Sequence, residues 1–166
     1  MHYQSTKHKV AKMKKFINHV DHVAWISRPE NLDANVAQLE KLTGAKLTRF
    51  SRSDMGFTMC IDWEAGLEVV APMEERTDFN EWLWSELETK GEGVSSVIFG
   101  IKDLEAHRAR LEKMGFEVGP LLDDHPDSPW HHRLVLHERL AGEAINTNII
   151  LGDIDYQDDV IPFVDV

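Results

Sequence analysis

The sequence predicts an α+β protein built from two tandem βαβββ modules. Two runs, 18–26 and 93–101, alternate between two faces as strands do. Each run is followed by a helical pattern that ends at a glycine, Gly44 in the first half and Gly115 in the second. His22 and Ser96 occupy the same place in the two runs. A repeat of this length predicts two structural units that share one core.

The first half reads as a strand, a helix and three further strands. Asn31 is a candidate N-cap, and apolar residues then recur at helical spacing up to Gly44, namely Leu32, Val36, Leu39 and Leu42. Strands are predicted at 46–52, 57–63 and 67–71, with turns at 54–56 and 64–66. The linking segment 79–90 has the spacing of a further helix.

The second half repeats this order with one irregular loop. Asp103 is a good N-cap for a helix whose buried stripe contains Leu104, Leu111 and Met114. Strands are predicted at 116–121, 132–138 and 144–151, with a turn at 140–142. The chain therefore divides into a basic N-terminal arm (1–16), a first module (17–74), a helical linker (75–92), a second module (93–153) and an acidic C-terminal tail (154–166).

Composition excludes several classes of protein. The net charge is −11, although the first 15 residues contain five lysines and no acidic residue. An acidic body repels nucleic-acid phosphates, so we expect no nucleic-acid partner. No apolar run approaches the roughly 20 residues that span a bilayer, which argues against a membrane partner. Cys60 is the single cysteine, which leaves no intrachain disulfide and no cysteine-based zinc site. With no apolar signal-peptide core near the N-terminus, we expect a cytoplasmic protein.

One strand face combines an imidazole with apolar side chains. Alternation places Val20, His22, Ala24 and Ile26 on the same face of the first strand. A buried imidazole in such a place is either a hydrogen-bonded core residue or part of a functional site.

Three segments, 20–24, 66–72 and 91–94, carry a resemblance to a known family through their order and spacing. With His in the first strand and Glu in the fourth, the chain resembles the vicinal oxygen chelate superfamily of glyoxalases, methylmalonyl-CoA epimerases, extradiol dioxygenases and bleomycin-resistance proteins. The resemblance implies that the two modules form a cup-shaped mixed β-sheet barrel with the helices outside. It also implies that the first and fourth strands of each module hold a divalent metal ion inside the cup. It also implies a small-molecule substrate with two adjacent oxygens.

Carried over residue by residue, the resemblance makes His22 and Glu68 metal ligands, with Glu68 also a candidate catalytic residue. The second half departs from the pattern, because Ser96 stands where the family has His and the segment 146–151 contains no carboxylate. The remaining candidates are Glu143 as a metal ligand and His132 and His137 as a further ligand or catalytic residues. His132 and His137 are five positions apart, so at most one of them faces the cup. Candidate substrate contacts are Ser96, Trp63, Trp130 and Asn148.

Three functions follow from this site. The first is a metal-dependent lyase, isomerase or dioxygenase that uses Fe, Mn, Ni, Zn or Mg to stabilise an enolate or oxyanion. The second is a metal-free binding protein that sequesters a cationic ligand, as drug-resistance members of the family do. The third is a metal-free enzyme in which His22 and Glu68 form an acid–base pair. We expect a homodimer, because open strand edges need cover and members of the family are often dimeric.

Overall fold

The computed structural model describes residues 15–157, so most of the predicted basic arm and most of the acidic tail lie outside the described residues. The elements in chain order are β1 (His19–Ile26), α1 (Leu32–Thr43), β2 (Thr48–Arg52), β3 (Phe57–Asp62), β4 (Leu67–Pro72), α2 (Asp78–Thr89), β5 (Gly93–Gly100), α3 (Leu104–Lys113), β6 (Leu121–Asp123), β7 (Leu134–Ala144) and β8 (Thr147–Tyr156). Within this range, no helix combines the length and the apolar character needed to cross a membrane. The homodimer stays a prediction.

The strands form one mixed, curled sheet in the order β2-β3-β4-β1-β5-β8-β7-β6. β1 runs parallel to β4 and antiparallel to β5, while β5 runs parallel to β8. The two outermost strands, β2 and β6, approach each other. Arg52 at the end of β2 donates from Nη1 to the carbonyl oxygen of Asp123 at the end of β6, at 3.2 Å. The predicted α+β cup is therefore confirmed.

The strand register relates the two modules by an approximate twofold axis. Val23 of β1 lies directly opposite Val97 of β5, 74 residues later, at the centre of the antiparallel pair. In the first module Ala24 is paired with Glu68, and the equivalent pair in the second module joins Ile98 to Ile150. Ile150 is thus the counterpart of Glu68, so the fourth-strand carboxylate is replaced by an alkyl side chain in the second module.

A bulge interrupts the alternation at equivalent points of β1 and β5. The β1–β5 pairing passes from Val20 to His22 without a partner for Asp21, and on the other strand it skips Ser95. A bulge of this kind inserts one extra residue, so its side chain can point to a face that regular strand alternation would not give it. Asp21 and Ser95 both direct nearly buried polar groups into hydrogen bonds within the protein.

The helices cover the sheet unequally. α1 buries Leu32 against Cys60, Val69 and Ala71 on the convex side, and α3 buries Leu104 with Ile101 and Leu151 in the same way. α2 packs instead against Ile26 and Val70, which lie on the strand face that also carries His22 and Glu68. A capping box at Thr77 and the fully buried Asn80 fix where α2 begins. The linker helix therefore closes one end of the cup.

Several local predictions were wrong in the second module. The strand predicted at 116–121 begins only at Leu121. The turn predicted at 140–142 lies inside β7, where the chain has a register shift, and the real turn contains Ile145 and Asn146, both with positive φ. Met114 is 62% exposed and not part of the buried stripe. The long β7–β8 hairpin also runs to Tyr156, past the predicted module end at 153.

Candidate functional site

Three ionisable side chains from three strands converge inside the cup. His22 of β1 is 2% exposed, and its Nε2 lies 3.5 Å from Oε2 of Glu68 on β4. The same nitrogen lies 3.8 Å from Oε1 of Glu138 on β7. The carboxylates are nearly buried, and Glu138 Oε1 has no hydrogen-bond partner among residues 15–157. A buried carboxylate oxygen without a donor is costly to retain, so this oxygen points to a ligand, an ion or a proton as its partner.

The register of the sheet explains why these residues meet. Parallel pairing of β1 with β4 places Glu68 beside Ala24, on the same strand face as His22. Glu138 lies opposite Gly152 of β8 in the antiparallel β7–β8 pair. Strand alternation then directs Glu138 into the cup and its neighbour His137 outward.

A second set of contacts holds the imidazole of His22 from behind. Its Nδ1–H donates to Oδ1 of Asp21 at 2.9 Å, and the hydroxyl of Tyr156 on β8 donates to the same oxygen at 2.8 Å. The Asp21 side chain is only 3% exposed because the bulge turns it inward. With Nδ1 occupied in this way, Nε2 is the nitrogen that faces Glu68 and Glu138.

The electrostatics of the cluster favour a proton or a cation between the carboxylates. Burial opposes the charged form of His22, but the hydrogen bond to Asp21 and the nearby Glu68 and Glu138 outweigh it and raise the pKa of His22 to about 10. Burial raises the pKa of Glu138 to about 7, with Glu68 adding to the rise and His22 opposing it. Burial alone would raise the pKa of Asp21, but its hydrogen bonds from His22 and Tyr156 bring the pKa below its usual value.

Aromatic rings pack around the histidine on the side away from α2. Trp63 meets the His22 ring edge-on, with centroids 5.3 Å apart, and also contacts Trp130 and Tyr156. Trp130 is 5% exposed and donates from Nε1 to Asp124. A cavity of about 50 Å³ remains between these rings and the two glutamates. The two tryptophans act here mainly as a rigid packing layer against His22.

A much larger cavity, of about 490 Å³, opens on the other side of the cluster. Glu68 and Glu138 line both cavities and so stand at the boundary between them. The remaining wall is mostly apolar and comes from the concave sheet face and from α2. A cavity of this size with a few convergent polar groups has the character of a small-molecule site.

The donor set fits a divalent cation. No group of three or more His, Cys, Asp or Glu side chains in residues 15–157 forms a complete metal centre by itself. His22 Nε2 and Glu68 Oε2, however, are separated by less than twice the usual metal–ligand distance of about 2.0–2.2 Å. Imidazole and carboxylate suit first-row divalent ions, and a carboxylate on the second ring nitrogen, as supplied by Asp21, is the usual support of a metal-binding histidine.

Of the predicted substrate contacts, Ser96 lines the large cavity and is 3% exposed. Trp63 and Trp130 line the small cavity. Asn148 is buried, but it donates to the carbonyl oxygen of Ser95 and to Glu86 of α2, so its amide is engaged in holding the linker helix.

The three candidates for a further ligand or catalytic group are not brought to the cluster. His137 is exposed and its Nδ1 contacts Oδ1 of Asp123 at 2.7 Å. His132 is exposed and precedes β7. Glu143 is exposed at the end of β7 and pairs with Lys90 of α2. All three therefore lie where solvent or a surface partner satisfies their polar groups.

Glu138 is the site residue that sequence reasoning missed. The family pattern places the second carboxylate in the last strand, and Glu143 just before that strand was the only carboxylate candidate, whereas Glu138 lies on the neighbouring strand β7. The alternation of β7 held a usable signal, because an outward His137 requires an inward Glu138. Glu138 also shares its strand face with Leu134, Leu136 and Leu140, and a single carboxylate on an otherwise apolar face could have drawn attention to this position.

Comparison with known proteins agrees with this architecture. No protein-family model matches the chain, and no curated protein matches it in sequence. Among solved structures, the methylmalonyl-CoA epimerase of Mycobacterium tuberculosis is similar with a TM-score of 0.59 and 17% identity, over 87% of this chain and 92% of that one. A methylmalonyl-CoA epimerase in complex with methylmalonyl-CoA and NH4+ gives 0.56 and 19% identity, over 82% and 94%. The hypothetical protein BH1468 from Bacillus halodurans C-125 gives 0.55 and 14%, over 80% and 91%. The chain therefore has the fold of the vicinal oxygen chelate superfamily, as its sequence motifs indicated.

Proposed function

We propose that the protein is an isomerase- or lyase-type enzyme that removes and returns a proton at a carbon beside the carbonyl of a small oxygenated substrate. The observation that carries this proposal is the placement of Glu138. Its Oε1 is buried without a hydrogen-bond partner among the described residues, 3.8 Å from His22 Nε2 and at the wall of a mostly apolar cavity. A carboxylate oxygen in such a place stabilises no other group of the protein through a hydrogen bond, and it can accept a proton from a bound molecule.

His22 and Glu68 would hold a divalent metal ion beside this carboxylate. When bound, the ion supplies Lewis-acid stabilisation of negative charge on the substrate oxygens. Asp21 orients the imidazole through Nδ1, and Trp63 packs edge-on against the imidazole ring and restricts its movement. The ligand types and the 3.5 Å separation of His22 and Glu68 support this assignment.

The proposed proton transfer involves only the substrate and the side chain of Glu138. The Glu138 carboxylate takes the proton from the carbon, and the electron pair of the C–H bond moves to the neighbouring carbonyl oxygen. Return of the proton to the same carbon inverts or exchanges that centre. In a hydroxyketone, return of the proton to the former carbonyl carbon moves the carbonyl group, provided that the hydroxyl proton passes to the former carbonyl oxygen. The Glu138 side chain keeps 12% exposure, so the proton that it takes can exchange with solvent, and in D2O the hydrogen that returns to the carbon is deuterium.

Two measurements on the wild-type protein test the proposal. Mn²⁺ added to metal-stripped protein should raise the melting temperature, since an ion that binds only the folded state stabilises it. In D2O, the protein should speed deuterium incorporation at the carbinol carbon of an enolisable hydroxyketone above the buffer rate, as followed by proton NMR. Suitable probes are acetoin and 1-hydroxy-1-phenylpropan-2-one. Exchange at the buffer rate for both probes, with and without Mn²⁺, would contradict the proposed enzyme.

A metal-free acid–base enzyme is the second candidate, and one observation favours it. His22 is surrounded by Asp21, Glu68 and Glu138, so an imidazolium ion can offset part of their negative charge without a metal. The same exchange experiment separates the two candidates. Exchange that persists after chelation of divalent ions supports the metal-free enzyme, whereas exchange that requires Mn²⁺ supports the metal-dependent one.

A further inference from the structure

We infer that the large cavity selects substrates with a neutral, apolar and preferably aromatic body, and that it does not accept a coenzyme A thioester. This inference deepens the proposed function and rests on it for the position of the reacting end, next to Glu68 and Glu138. The part of the cavity at issue is called the aromatic chamber and is lined by Met55, Phe57, Phe79, Trp82 and Leu83.

The chamber is built by the linker helix. α2 presents Phe79, Trp82 and Leu83 to the concave sheet face, where Phe57 of β3 completes the wall. Phe57 and Phe79 lie with ring centroids 5.4 Å apart, and Phe79 and Trp82 with centroids 6.0 Å apart. Trp82 and Phe79 are only partly buried, so these rings still present apolar surface to an occupant. Such surface gains most from contact with another apolar group.

The polar groups of the cavity are arranged at its edges. Glu68 and Glu138 stand at the end next to His22, which is where an oxygenated end would react. The opposite end is the aromatic chamber. A bound molecule therefore meets polar groups at one end and aromatic surface at the other, which defines an amphipathic substrate with an apolar body.

The charges of the cavity argue against a phosphate-bearing substrate. Arg52 is the only basic side chain among the described residues that line it. Its guanidinium is already engaged, because Nε and Nη2 each donate to Asp54 at 2.9 Å and Nη1 donates to the carbonyl oxygen of Asp123. The lining also contains Asp78 and Asp123 besides the two glutamates. A coenzyme A moiety would bring several negative charges to this acidic rim, and residues 15–157 provide no free cation in the cavity lining to meet them.

Acetoin and 1-hydroxy-1-phenylpropan-2-one test the inference as a matched pair. Both are neutral hydroxyketones with two adjacent oxygens, and they differ by a methyl group in place of a phenyl ring. We expect the phenyl compound to bind at least tenfold more tightly in an NMR titration. Trp82→Ala should reduce that preference to less than threefold. Trp84→Ala is the control, because Trp84 lies on the same helix but outside the cavity lining and donates to the carbonyl oxygen of Met73.

Propionyl-CoA serves as the thioester probe, and we expect no saturable binding up to millimolar concentration. Equal affinity for the two hydroxyketones, an unchanged preference in Trp82→Ala, or tighter binding of propionyl-CoA than of the phenyl compound would each overturn the inference. These are binding measurements, so their result is independent of catalysis. Preferential binding without deuterium exchange would leave the substrate class standing and remove the proposed reaction. Deuterium exchange without any preference for the phenyl compound would support the proposed reaction and overturn the inferred substrate class.

Discussion

The two modules share a backbone plan but contribute different chemistry to the cup. β1 and β5 pair about Val23 and Val97, and each strand has one bulged residue immediately before the residue that faces the cup. The equivalent positions differ in chemical type, and the pairs are Asp21 and Ser95, His22 and Ser96, and Glu68 and Ile150. The first module therefore carries the groups suited to hold an ion. The second has a hydroxyl and an alkyl group at the corresponding places.

The second module compensates from a different strand. Glu138 on β7 reaches the cluster from the position that Met59 of β3 occupies in the first module, as judged from their partners Gly152 and Val70. Ile150 joins Ala24 and Ile98 in a small apolar cluster and forms part of the cavity wall. A pseudo-symmetric fold can thus keep its strand register while its polar groups become asymmetric, and the proposed function gives ion binding to the first half and proton transfer to the second.

The largest effect should come from replacing His22 by alanine, compared with the same replacement of its counterpart Ser96. His22→Ala should abolish saturable Mn²⁺ binding in calorimetry and should remove metal-dependent exchange activity. Ser96→Ala should bind Mn²⁺ within threefold of the wild type, because a buried hydroxyl at this position is a poor ligand beside imidazole. Equal loss in both variants would contradict the division of roles between the modules.

Replacing Glu138 should separate proton transfer from ion binding. Glu138→Gln should lower the exchange rate by about 10²–10⁴-fold, the usual contribution of a general base. Its Mn²⁺ affinity should stay within a few-fold of the wild type, whereas Glu68→Gln should lose most of that affinity. His137→Ala is the matched control, since its side chain points outward from the adjacent position on β7 and contacts Asp123. An unchanged rate in Glu138→Gln would remove this residue from the mechanism.

The pH dependence of stability should reveal the same buried carboxyl in metal-stripped protein. The folded-state pKa of Glu138 is raised to about 7 from its ordinary value of 4.5, so its protonated form contributes stability that is fully present below about pH 4.5 and lost as pH rises through 7. Between pH 5 and pH 8, the free energy of unfolding of the wild type should fall relative to Glu138→Gln by about 1–3 kcal/mol. Urea denaturation in the presence of a chelator measures this difference. Parallel pH profiles for the two proteins would contradict it.

Much of the fold could be predicted from the sequence because it is encoded locally. Period-two alternation located β1 and β5, and the helical stripe together with Gly44 located α1, whose last residue precedes that glycine in the left-handed conformation. The Asp103 side chain caps α3, as its sequence position predicted. The predicted offset of 74 residues between the two halves was also correct, since the equivalent residues Val23 and Val97 lie opposite each other in β1 and β5.

The parts that could not be predicted depend on contacts between distant segments. Gly142 resembled a turn signal, but it lies within β7, and the hairpin turns at Ile145 and Asn146, two residues that adopt positive φ. Glu138 was missed because its role depends on which strand lies beside β8. The inward direction of Asp21 depends on a bulge that forms only when β1 pairs with β5.

The smallest and most specific effect concerns that bulge. Asp21 accepts from His22 Nδ1 and from the Tyr156 hydroxyl, so a residue of β8 supports the imidazole of β1 through one carboxylate oxygen. A carboxylate on Nδ1 fixes the tautomer that presents Nε2 and increases the basicity of that nitrogen. Asp21→Asn should therefore weaken Mn²⁺ binding about tenfold, and Tyr156→Phe, which keeps the carboxylate, should weaken it by only a few-fold.

The counterpart of Asp21 supplies the control for this prediction. Ser95 is the bulged residue of β5 and donates from Oγ to Glu86 of α2, away from the imidazole. Ser95→Ala should leave Mn²⁺ affinity unchanged even though it alters an equivalent point of the backbone. Nitrogen chemical shifts of His22 should also show a mixture of tautomers in metal-stripped Asp21→Asn at high pH and a single tautomer in Ser95→Ala. If Asp21→Asn and Ser95→Ala affect affinity and tautomer equally, the bulges shape the strands alone, and the orientation of His22 comes from its packing against Trp63.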